Sequence, residues 1–155
     1  MSASAAVAEN LPAFYDQAPS LTVRDPLAEF LGAADEGVLT YHYADAVRLA
    51  GHSCPTVAGA WLMVIAGLCA LYGDDELPVR GEIQVFMADA ADAGATGVMA
   101  TVAQLLTGAA TETGFHGIGG RFSRRNLLAY EQPGLAGCLD RSLFDCGDSR
   151  FQVIL

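Results

Sequence analysis

The chain has 155 residues, with 18 acidic side chains against 8 basic ones and a net charge of −10 at pH 7. Its 52% hydrophobic content is enough for one domain with a real core, and its acidic surface argues against nucleic acid and anionic lipid as partners. The first ten residues carry neither a basic n-region nor a long apolar stretch, so no secretory signal is expected and a cytoplasmic location is.

In chain order, residues 1–24 read as a loose N-terminal extension, and the domain proper is expected over 25–155. Asp25-Pro26 reads as a helix start, with Asp25 as cap, Pro26 at the first position and Leu27, Phe30 and Leu31 on one face. Residues 38–43 alternate β-branched and aromatic side chains and predict a short strand; residues 44–50 return to helical spacing. From Pro55 to Tyr72 there is no charged residue over 18 positions, and this run predicts a long, buried, central helix. It is slightly shorter than the roughly 20 apolar residues that span a bilayer. Gly59, Gly67 and several alanines dilute it, and Asp74, Asp75 and Glu76 follow without a basic cluster, so a core helix is favoured over a membrane span.

Residues 79–87 are the clearest strand, with Val79, Gly81, Ile83, Val85 and Met87 on one parity. Residues 95–106 carry Val98, Val102, Leu105 and Leu106 at helical offsets and stop at Thr107-Gly108. A glycine-rich loop around His116 follows over 111–120, matching neither GxGxxG nor a P-loop, and 121–130 and 151–155 look extended. Helices and strands interleave. This favours an α+β or α/β domain over a bundle or sandwich, and the fold expected is a single α+β domain with a mixed sheet packed against a long central apolar helix.

The four cysteines, at 54, 69, 138 and 146, form no CxxC pair, which removes zinc ribbons and thioredoxin motifs. Cys69 reads as a small buried hydrophobe, and Cys138 and Cys146 are weak metal candidates. Chemistry concentrates instead at Gly51-His52-Ser53-Cys54-Pro55, where an imidazole and a thiol stand two residues apart at the head of the apolar helix. Proline at the first helical position makes Cys54 the N-cap, and the positive end of the helix dipole biases its sulfur toward thiolate, the form that binds metals and attacks electrophiles.

This segment resembles the His-Gly-His-x-Cys-Pro-Gly signature of the formylmethanofuran dehydrogenase FmdE-like family. Residues 100–108, Ala-Thr-Val-Ala-Gln-Leu-Leu-Thr-Gly, are similar to that family's Asp-Ala-Ile-Gln-x-x-Thr-Gly segment. The resemblance covers roughly residues 40–130, with Ala50, Thr56 and Ala109 departing from the family pattern. It implies an α+β metal-binding domain over 25–155, a homodimer, and a metal site at His52 and Cys54.

The two other histidines, His42 near the end of the first strand and His116 in the glycine-rich loop, are the candidates to complete that site. Three imidazoles and a thiolate suit a divalent metal ion, zinc first, or iron where one position stays open. Asp45, Asp89 and Asp92 are candidate outer partners for ligating histidines. Arg121, Arg124 and Arg125 form a small basic cluster for surface ion pairs or for the carboxylate or phosphate of a small-molecule ligand. The expected function is that of a small metal-binding protein, with metalloenzyme activity left open. The alternatives are noncovalent haem at the apolar helix and a metal-free, redox-sensitive thiol or interaction domain using Cys54.

Overall fold

The computed structural model describes residues 10–133, 143–146 and 149–154, the last two stretches as backbone. They form one α+β domain. A two-stranded antiparallel ribbon joins β1 (Leu21–Arg24) to β2 (Val38–Tyr41), with Leu21 opposite Tyr41 and Val23 opposite Leu39. Between them lies α1 (Pro26–Phe30), capped by Asp25, whose carboxylate accepts from the Leu27 and Ala28 amides at 3.0 and 3.3 Å. The predicted start is correct, and most of the apolar face read there turns to solvent. Phe30 and Leu31 are 57% and 60% exposed, because five residues are too few to lay a face on the core.

Three longer helices follow the ribbon: α2 (Tyr43–Ala50), α3 (Pro55–Tyr72) and α4 (Thr96–Thr107). Their packing centres on α3, which lies against both α4 and α2. The second sheet runs β4 (Leu128–Ala129), β3 (Gln84–Met87), β6 (Ser149–Ile154), β5 (Leu143–Cys146). β3 pairs parallel with β4 and antiparallel with β6, and β5 and β6 pair antiparallel, so the sheet is mixed as expected.

The core lies between helices and sheet. Ile83, Val85 and Met87, on the parity read from the sequence, are fully buried with Trp61, Val64, Leu68, Val102 and Leu106. Truncating a buried leucine such as Leu106 to alanine costs about 2–5 kcal/mol. The expected strand over 79–87 is shortened at its start: Val79 makes one bridge to Arg24, and Gly81, at φ +92°, turns the chain before Gln84. The extended region over 121–130 reduces to Leu128–Ala129.

Two expectations about α3 need correction. It is not buried all round: Val57, Ala60, Trp61, Val64, Gly67 and Leu68 face the core, while Leu62, Ala66, Cys69 and Ala70 form an exposed stripe. Cys69 is therefore an exposed thiol rather than a core hydrophobe. By length and composition α3 is also apolar enough to cross a membrane, with about a third of it buried inside the domain. Residues 19–24 are tied in as well, since β1 places Val23 fully inside and the Trp61 indole donates to the Pro19 carbonyl at 2.9 Å.

Candidate functional site

The 51–55 segment is held from both sides. α2 ends on Gly51, whose φ of +74° is a left-handed cap that few other residues adopt cheaply, and its amide donates to the Val47 carbonyl at 2.8 Å. Cys54 is the N-cap of α3 and Pro55 its first residue, as the sequence requires. Between them, Ser53 Oγ shares a 2.8 Å hydrogen bond with the buried Tyr43 hydroxyl. The Tyr43 ring meets Tyr15 and Trp61 edge-on, with centroids at 5.3 and 5.9 Å, so an aromatic stack anchors the turn to the core.

On this anchored turn His52 is exposed and Cys54 half-buried. The His52 Nδ1 lies 3.0 Å from the Ala50 carbonyl oxygen; as the donor there, it leaves Nε2 as the free lone pair. The Ala50 backbone thus orients the His52 ring. That bond, followed by the neighbouring Cys54, raises the His52 imidazole above its ordinary range. The Val57 amide lowers the Cys54 thiol most, with the Thr56 amide and His52 adding to it against the opposing effect of burial. The sulfur closes no capping hydrogen bond of good geometry, so the amides act chiefly as oriented dipoles. The imidazole and thiol thus favour each other's charged forms.

The remaining predicted ligands do not join them. His42 is exposed at the N-cap of α2, where its backbone N–H donates to Asp45 Oδ2 at 2.8 Å. Asp45 also accepts from Arg48 at 2.7 Å. The α2 capping arrangement thus engages the His42 backbone and the candidate outer partner Asp45. His116 is exposed in its loop with Nδ1 taken by the Arg125 guanidinium. Among the described residues no three His, Cys, Asp or Glu side chains converge as a metal site. Imidazole and thiol are ligand types that zinc takes, its protein sites ordinarily use three or four of them, and among the described residues the four-residue set is not assembled. Cys138 and the Cys146 side chain lie outside the described residues.

A second polar centre, absent from the sequence reading as a unit, is built on Asp25. This 4% exposed carboxylate accepts from Arg80 Nη1 at 2.7 Å and from Arg124 Nη2, besides capping α1. Arg80 also donates to the Leu105 carbonyl at 3.1 Å and lies over the Tyr41 ring. Arg124 is positioned by its backbone, whose N–H donates to Phe115 and whose carbonyl accepts from Ala110, so the glycine-rich loop closes around it. Its guanidinium lies against Gly81 and Gly108, where a Cβ would come within 2.5 and 2.9 Å of Nη1. Burial pushes this guanidinium below its ordinary range, Asp25 opposes that and Arg80 reinforces it. Of the basic cluster read from the sequence, Arg124 is internal, Arg121 lies over Phe122 and Arg125 binds His116.

Asp25 was legible as a helix cap and Arg124 as an anion-binding candidate. Arg80 gave no signal, since nothing linear links positions 55 and 99 residues apart from Asp25. Comparison with protein-family models, with curated proteins and with solved structures finds no match for the chain.

Proposed function

We propose that this protein binds a thiophilic divalent metal ion, zinc first, through Cys54 Sγ and the free Nε2 of His52, on an FmdE-like α+β frame. One observation carries the reading: an imidazole with its Nδ1 already engaged stands beside a thiol of lowered pKa on a turn anchored to the core. Sulfur and imidazole nitrogen together suit zinc better than the hard cations. With two protein ligands the ion keeps positions open to water or to a small-molecule ligand, where it would act as a Lewis acid. The exposed apolar stripe of α3 supports a homodimer, because burying it between two copies removes it from water.

Elemental analysis of untagged protein tests the assignment. Wild type is expected to carry about one zinc per chain, and Cys54→Ser and His52→Ala each to lose most of it. Full occupancy in both variants would sink the proposal. A second reading, a metal-free nucleophilic thiol, is favoured by the same lowered Cys54 pKa and is separated from the first by the metal content itself.

A further inference from the structure

The Asp25 cluster is unbalanced in charge and in hydrogen bonds. Two guanidiniums carry two positive charges and ten N–H donors, five on each. One carboxylate answers them, and the bonds to Asp25 and to the Leu105 carbonyl use three of those donors. Among the described residues, Arg80 Nε and Arg124 Nη1 are buried without a partner, on side chains 17% and 9% exposed. One positive charge is left over at an interior position of a chain whose net charge is −10.

An open cleft of about 620 Å³ lies against this cluster, with Asp25, Arg80 and Arg124 in its lining. Small-molecule sites usually measure about 300–1,000 Å³. Away from the arginines the lining is largely apolar, and it includes Leu49 and Phe115, which stand 50% and 43% exposed to water. Thr101 and Gln104, on the solvent side of α4, supply polar groups at the edge. The cleft therefore pairs a cationic end with an apolar body, in a protein whose charge repels anions elsewhere.

We infer that this cleft binds a small organic monoanion, with its carboxylate at the Arg80–Arg124 end and its apolar body against Leu49, Leu105 and Phe115. A carboxylate matches the planar fork of a guanidinium and the single surplus charge. A phosphate dianion would overshoot that charge beside Asp25. Binding in the cleft does not depend on metal at His52 and Cys54, because it uses neither residue.

Calorimetric titration of the full chain at low ionic strength, with benzoate as probe and neutral benzamide as its isostere, tests the inference. Benzoate is expected to bind saturably and at least about tenfold more tightly than benzamide, since the difference between them is a charge-assisted bond. Arg80→Gln is expected to abolish that preference. Thr101→Trp, which narrows the cleft from an exposed helix position without touching the ion cluster, is expected to weaken benzoate by at least about tenfold while leaving the melting temperature unchanged. Equal binding of benzoate and benzamide, wild-type affinity in Thr101→Trp, or binding of inorganic phosphate in place of benzoate would each overturn it.

Discussion

Replacing Asp25 with asparagine removes one charge from the interior and leaves the shape in place. Asparagine retains an oxygen that caps the Leu27 and Ala28 amides, so the helix start is largely preserved. The two guanidiniums fare differently. Arg124 and Arg80 keep their charge on side chains 9% and 17% exposed, and the carboxylate that compensated them is gone. Breaking a buried pair by removing one partner costs about 3–5 kcal/mol, and the water that reaches Arg80 sets the expectation at the lower end, near 3 kcal/mol. For a chain of this size each kcal/mol moves the melting temperature by about 2–4 °C, so a fall of about 6–12 °C is expected. Thermal and urea denaturation followed by circular dichroism measure it. A triple variant, Asp25→Leu with Arg80→Met and Arg124→Met, should recover part of the loss by replacing the ionic cluster with an apolar one. Melting within about 2 °C of wild type in Asp25→Asn would show that solvent, not Asp25, compensates these arginines.

Three further expectations follow from the same structure. Gly81→Ala places a Cβ 2.5 Å from the Arg124 guanidinium at a φ of +92°, and should lower stability by about 2 kcal/mol in a denaturant titration; an unchanged midpoint would contradict the close approach. Alkylation of Cys54 should reach half its maximal rate below the pH of about 8.5 typical of free cysteine. His52→Ala should move that profile upward, because it removes the imidazolium that favours the thiolate; a profile coincident with free cysteine in wild type counts against the pairing. Light scattering on a sizing column should give about twice the chain's 16.2 kDa, and Leu62→Glu, on the exposed stripe of α3, should return the monomer; a dimer indifferent to that change does not use this face.

Local chemistry was the legible part of this chain. Asp25-Pro26 and Cys54-Pro55 mark their helix starts because a cap and a proline at the first position act within a few residues. Gly51 and Gly108 end α2 and α4 for equally local reasons, and the buried parity of Ile83, Val85 and Met87 follows from strand alternation. Partnership across the chain was not legible. The β1–β2 ribbon was half seen, because Leu21–Arg24 is too short to stand out until it pairs with Val38–Tyr41.

The face that α3 turns to solvent was hidden for another reason. An all-apolar helix has no polar side to orient it, so the pattern that argued for a buried element could not tell core from stripe. At the candidate site, the His52–Cys54 pair is a matter of two residues and a turn, and it was readable. Gathering His42 and His116 with them would need loop geometry that no spacing encodes, and the structure places His42 at a helix cap through its backbone and the His116 imidazole against Arg125. The Asp25–Arg80–Arg124 cluster shows the same limit from the opposite side, since a burial-driven ion cluster leaves no periodic trace.

The chain's single tryptophan gives the 51–55 turn an optical readout. Trp61 is fully buried, meets Tyr43 edge-on and, through the Tyr43 hydroxyl, is one hydrogen bond away from Ser53 between the two candidate ligands. A change at Cys54 that pulls on this turn has a short route, through Ser53 and Tyr43, to the only indole in the molecule, whose emission responds to its surroundings. The native protein thus carries its own fluorescent probe, one residue type deep in the core, for an event at its surface.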